Sequence, residues 1–167
     1  SESVLSAGGY HTCGLDTNSS IHCWGDGSSS QTAPPSGAFV QVTSGELHSC
    51  ALDTTGSAYC WGENSYGQST PPSTAFLQVS AGGVHTCGLN VFDEIECWGS
   101  NYAFQSTPPS GSFALVSSGD SHSCALDTTG SAHCWGRDYD GQSSPPPGYF
   151  IYLSAGGNHT CALDLAG

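Results

Sequence analysis

Cysteine recurs at a fixed step. Cys13, Cys50, Cys87, Cys124 and Cys161 stand 37 residues apart, and both Trp24, Trp61, Trp98, Trp135 and Gln31, Gln68, Gln105, Gln142 keep that step. A period of this length marks a propeller, solenoid or array, in which each unit buries its apolar face only against a neighbour. The unit appears four times and is begun a fifth, so a single repeat domain is expected over 1–167, with units 6–42, 43–79, 80–116 and 117–153 and a partial unit 154–167. A second period lies on the first: Ser-Ala-Gly-Gly precedes the histidine in the odd copies, whereas Ser-Gly-Glu or Ser-Gly-Asp lies near it in the even ones.

Each unit offers a short apolar run (Phe39 to Val42, Phe76 to Val79, Phe113 to Val116, Phe150 to Leu153), a segment around His-x-Cys and a segment ending Cys-Trp-Gly. Their lengths, β-branched content and Gly/Pro punctuation predict strands rather than helices. Asp53-Thr54-Thr55-Gly56-Ser57 fits a three-residue hairpin loop with Gly56 in the left-handed position of a bulge. Pairing Asp53 with Ser57 then sets Cys50 opposite Cys60, within the reach of a disulfide. The same register predicts Cys13–Cys23, Cys87–Cys97 and Cys124–Cys134. Each bridge closes a short loop and contributes about 2–3 kcal/mol, which matters in a chain only 37% hydrophobic.

Four evenly spaced cysteine pairs point to an oxidising compartment, so an extracellular, secreted protein is expected. Cys161 is left unpaired, since its mate would fall past Gly167. A zinc site is the lesser reading, because each unit supplies only three candidate ligands. The repeated histidines His11, His48, His85, His122 and His159 read as a packed, hydrogen-bonded series rather than as catalytic groups, and His22 and His133 as incidental. The formal charge is −13, with 14 acidic residues against Arg137 alone, which argues against nucleic acid and anionic membrane as partners. No apolar run of about 18 residues exists to insert into a bilayer. The absence of Met and of a leader suggests a mature or excised segment.

The run Trp61-Gly62-Glu63-Asn64-Ser65-Tyr66-Gly67-Gln68, with Val-Ser-Ala-Gly-Gly-x-His-Thr-Cys-x-Leu leading a unit, resembles the repeat of the regulator of chromosome condensation family over essentially the whole chain. The resemblance implies four-stranded blades in a β-propeller, commonly seven-bladed, with tight turns at the Gly and Trp-Gly positions. The cysteine-bearing form is more similar to the ectodomain repeats of crinkly-type plant receptor kinases and to secreted bacterial and algal proteins than to the nuclear founder. That founder is a nucleotide-exchange factor that docks on chromatin, and a bacterial relative inhibits β-lactamase. Neither role maps onto residues of this chain.

The expected fold is therefore all-β, with tandem 37-residue repeats forming propeller-like blades, as an open array or part of a propeller rather than a closed four-blade ring. Both ends supply the same half of a blade, so either the chain continues past Gly167 or the array stacks on another copy. No catalytic residue, cofactor or metal is expected, because every recurring His, Cys, Trp and Asp recurs as scaffold. Asp26, Glu63, Asp138 and Asp140 read as solvated loop carboxylates rather than calcium ligands, with neutral Ser100 replacing one of them. Glycans are expected on the sequons at Asn18 and Asn158. The Ser/Thr-flanked tracts Pro34-Pro35, Pro71-Pro72, Pro108-Pro109 and Pro145-Pro146-Pro147 suit O-linked sugar or hydroxyproline glycans, or serve as rigid inter-blade loops.

Two functions follow. The first is a non-enzymatic structural repeat of an extracellular glycosylated filament, sheath or matrix, self-associating through unpaired end strands. The second is a ligand-binding propeller module of a secreted protein or receptor ectodomain. The inter-blade loops differ only mildly and show no conspicuous hot-spot loop, which at this level favours the first.

Overall fold

A computed structural model describes residues 4–165. Antiparallel strands occur in groups of three: β1 (Leu5–Ala7), β2 (His11–Leu15) and β3 (Ile21–Gly25); β4 (Phe39–Ser44), β5 (His48–Asp53) and β6 (Ala58–Gly62); β7 (Phe76–Ala81), β8 (His85–Asn90) and β9 (Ile95–Gly99); β10 (Phe113–Ser118), β11 (His122–Asp127) and β12 (Ala132–Gly136). A last pair, β13 (Phe150–Ala155) and β14 (Thr160–Asp164), forms a two-stranded sheet. Each three-stranded sheet is a meander. The sheets are successive blades of an arc, in which β4 packs on β2, β7 on β5, β10 on β8 and β13 on β11. The described residues are all-β, and no sheet closes the arc into a ring.

Two features depart from expectation. The blades have three strands rather than four, because the segment that would form the fourth carries paired prolines, which donate no ladder hydrogen bond. The four later sheets also begin at the Phe of the apolar run, so the boundaries after residues 42, 79, 116 and 153 fall inside β4, β7, β10 and β13. The inner strand pairs with the His-x-Cys strand that follows it, not with anything before it.

The hairpins set the cysteine register. The Asp53 N–H donates to Ser57 O at 3.1 Å, and Gly56 takes φ +82°. One oxygen of Asp53 also accepts the N–H groups of Thr55 and Ser57 at 2.7 and 3.1 Å. Asp16, Asn90 and Asp127 hold their own loops in the same way. Cys50 thus faces Cys60, and Cys13, Cys87 and Cys124 face Cys23, Cys97 and Cys134. All four pairs are disulfide-bonded, with Cα atoms 4.0–4.1 Å apart. Cys161 is exposed and free.

The chain has no single core but a series of small ones between blades. Cys13 and Ile21 of the first blade meet Phe39, Val42 and Ala51 of the second, with Trp61 against them. Cys50 and Leu52 meet Phe76 and Val79 with Trp98. Cys87, Leu89 and Ile95 meet Phe113, Val116 and Ala125 with Trp135. The disulfides therefore lie within the inter-blade layers. The residue after the first cysteine of a unit also has a packing origin: a Cβ on Gly88 would lie 2.5 Å from the Phe76 ring, which tilts onto Trp98. Where Ala51 stands instead, Phe39 meets Tyr59 edge-on, and beside Ala125, Phe113 meets His133 edge-on.

The turn before each histidine brings backbones into contact. A Cβ on Gly82 would lie 2.4 Å from Gly119 O and 2.5 Å from His85 Cε1, whereas one on Gly157 would meet nothing within 4 Å. Gly82→Ala is expected to cost about 3 kcal/mol or more and Gly157→Ala almost nothing, as read from urea denaturation midpoints.

Candidate functional site

The recurring polar residues converge on the seams between blades. At the central seam, the Nε1–H of Trp98 donates to Gln68 O at 2.9 Å. The Thr86 hydroxyl donates to the same carbonyl at 3.1 Å, and His48 Nε2 lies 2.8 Å from that hydroxyl. Since the hydroxyl proton goes to Gln68 O, the His48 ring carries its proton on Nε2 and donates to Thr86. The series repeats: His11 meets Ser49 at 2.6 Å, His85 meets Ser123 at 2.8 Å and His122 meets Thr160 at 2.9 Å. Trp61 and Trp135 bond Gln31 O and Gln105 O at 2.8 Å. Trp24 is exposed.

The inner strands are joined by side chains as well. Gln41 donates Nε2–H to Val79 O at 2.9 Å and accepts the Val79 N–H at 3.0 Å, and Gln78 does the same for Val116. Ser6, Thr43, Ser80 and Ser117 accept the N–H groups of Ser44, Ala81, Ser118 and Ala155 at 2.9–3.1 Å. These residues line the concave inner face, a groove of about 770 Å³, but their polar groups are already committed to the neighbouring blade.

The buried rings resist protonation. Burial is the main cause and the adjacent histidines add to it, holding His48 down to about 4 and His85 to about 3. Burial likewise lowers His11 and His122, although Asp26 opposes the shift at His11, and Asp120 and Asp138 oppose it at His122. The Nδ1 atoms of all four rings are buried without a partner, as an unprotonated acceptor tolerates better than a charged donor would. This seam is structural machinery, and among the described residues no three His, Cys, Asp or Glu gather as a metal cluster. His22 and His133, incidental in the sequence, each bond the aspartate of their own hairpin, Asp16 and Asp127, at 2.9 Å.

The surface with unspent chemistry is the end of the arc where the loops after Trp-Gly emerge. Glu63, Ser100 and Arg137 donate their N–H groups to Leu47, Val84 and Ser121 O, so these loops share one end with the pre-histidine turns. Each loop is rigid. Buried Gln68, Gln105 and Gln142 accept the N–H groups of Tyr66, Ala103 and Asp140 at 2.8–3.0 Å. Asn64, Asn101 and Asp138 accept those of Ser69, Ser106 and Ser143 at 2.8–3.0 Å. The expected loop carboxylates lie here: Asp26 bonds Ser28 and Gln31, Glu63 bonds Ser65, and Asp138 bonds Ser143 and Ser144. These hydrogen bonds, first those from the Ser28, Ser65 and Ser144 hydroxyls, hold all three carboxyls below the usual range.

On these loops stand Tyr66, Tyr102, Phe104 and Tyr139, 61–84% exposed. Reading the repeat as a consensus concealed them, because they occupy positions where copies differ. Asn18 is exposed at a hairpin tip, and Asn158 is exposed beside β14. Pro34, Pro35, Pro71, Pro72 and Pro108 are half-buried, while Pro109, Pro145, Pro146 and Pro147 are exposed.

A family model described as the regulator of chromosome condensation (RCC1) repeat matches residues 4–31, 39–68 and 113–142. No curated protein sequence matches the chain. Among solved structures, the chain is similar to the CRINKLY WD40 ectodomain of the Arabidopsis thaliana receptor kinase ACR4, with TM-score 0.79 and 29% identity, covering 96% of this chain and 58% of that one. It is similar to the ectodomain of the Physcomitrella patens receptor kinase CR4, with TM-score 0.80 and 29% identity, covering 96% and 47%. Prp20p from Saccharomyces cerevisiae shares the fold, with TM-score 0.83 and 18% identity over 98% and 55%. The chain thus spans about half the length of these structures.

The seam makes stability depend on pH. The native rings refuse a proton that the unfolded histidines accept, so their contribution is complete above about pH 6.5 and is lost as pH falls toward 4 and 3. For His48 alone the loss is on the order of 3 kcal/mol. The melting temperature is expected to fall steadily from about pH 7 to pH 4. His85→Gln is expected to melt lower than wild type at neutral pH but to show a shallower acid slope. Equal slopes would contradict the assignment.

Proposed function

We propose that this chain, which belongs to the regulator of chromosome condensation (RCC1) repeat family, is a non-enzymatic ligand-binding propeller module of an extracellular protein. The observation that carries this reading is the loop end, where internally hydrogen-bonded loops hold exposed Tyr66, Tyr102, Phe104 and Tyr139. Loops of variable sequence on a rigid repeat are a common arrangement for recognition. Similarity to two receptor ectodomains supports the module rather than the filament or sheath. Four disulfides support an oxidising, extracellular setting.

Glycans fit this setting. Asn18 lies on an exposed hairpin tip, and its carrier function would be solubility and shielding of the end opposite the loop face. Asn158 and the exposed prolines Pro109 and Pro145 to Pro147 are the further attachment points, while the half-buried prolines serve as inter-blade packing.

Light scattering after size exclusion, combined with electron microscopy of the secreted protein, tests the module reading. Discrete particles of one mass across a wide concentration range are expected. Regular filaments that lengthen with concentration would overturn it in favour of a structural subunit.

A further inference from the structure

We infer that the loop face docks a cationic, Lys/Arg-rich peptide segment of a partner protein, an inference that rests on the binding-module reading above. Two chemistries coincide on this face. Six carboxylates, Asp26, Glu46, Glu63, Asp120, Asp138 and Asp140, belong to its loops and turns, against the single base Arg137. Among them stand the exposed rings of Tyr66, Tyr102 and Tyr139. An aromatic face beside carboxylates is an environment that attracts a guanidinium or ammonium group. The structure contains an instance of the contact: Arg137 lies over the Tyr139 ring, 4.8 Å from its centroid.

The face is also built at a cost that the fold does not require. Phe104 is 71% exposed and takes φ 62°, a left-handed backbone that Gly67 and Gly141 occupy in the flanking loops. Serine hydroxyls hold the Asp26, Glu63 and Asp138 carboxyls below their usual range. The loops are internally braced, so little ordering is needed on binding, which favours affinity. The charge of the whole chain, −13, steers a cationic segment toward it.

The test is fluorescence anisotropy with fluorescein-labelled octa-arginine at about 150 mM salt, where diffuse attraction is screened. The triple variant Tyr66→Ser/Tyr102→Ser/Tyr139→Ser keeps the charge and is expected to bind about tenfold more weakly or worse. Tyr149→Ser, on the loop leading into β13, is expected to bind as wild type does. Removing two charges from the loop face with Glu63→Gln/Asp140→Asn should weaken binding, and removing two from a hairpin tip at the opposite end with Asp93→Asn/Glu94→Gln should not. An unchanged melting temperature shows that each variant is folded. Equal binding by the tyrosine triple, or equal weakening by the two charge pairs, would overturn the proposal as diffuse polyelectrolyte attraction. Binding of neutral oligosaccharides through the same tyrosines, without octa-arginine binding, would overturn the cationic partner and leave the module reading standing. Filament formation would overturn that module reading itself.

Discussion

The carbonyls of Gln31, Gln68 and Gln105 each receive the indole N–H of the tryptophan 30 residues further on, in the next blade. Around these bonds are arranged the histidine-to-hydroxyl contacts, the thin apolar layers and the disulfides. A three-stranded blade cannot bury its faces by itself, so stability arises at the seams between blades. The seam also explains why the repeat keeps His and Trp at fixed distances, since each contributes one half of a contact that its neighbour completes, while the Gln side chain braces its own loop and so fixes the carbonyl that the indole meets.

Much of this was legible in the chain. A step of 37 residues, a Gly in a hairpin and two cysteines ten residues apart are sufficient to pair Cys50 with Cys60, because strand register is arithmetic once a turn is fixed. The aspect that was not legible was geometry across blades. Nothing in the spacing of Gln68 and Trp98 says that a main-chain carbonyl, rather than the amide, takes the indole proton. The missing fourth strand was foreseeable from Pro71-Pro72 and its counterparts, but the family resemblance outweighed that signal. Ser19 and Asp93 occupy the left-handed hairpin position that Gly56 fills elsewhere.

The candidate site was concealed for the opposite reason. A repeat is read by what its copies share, whereas recognition rests on what they do not. Tyr66, Tyr102, Phe104 and Tyr139 occur at loop positions without a consensus, and only their common exposure at one end of the arc brings them together. Seams built from the shared residues leave these loops free to vary, so scaffold and recognition are separated within each 37-residue unit.

Hydrogen exchange of the four indole N–H groups, followed by NMR, tests the seam most directly. The account predicts slow exchange for Trp61, Trp98 and Trp135, and fast exchange for exposed Trp24. Four indoles exchanging at one common rate would contradict it.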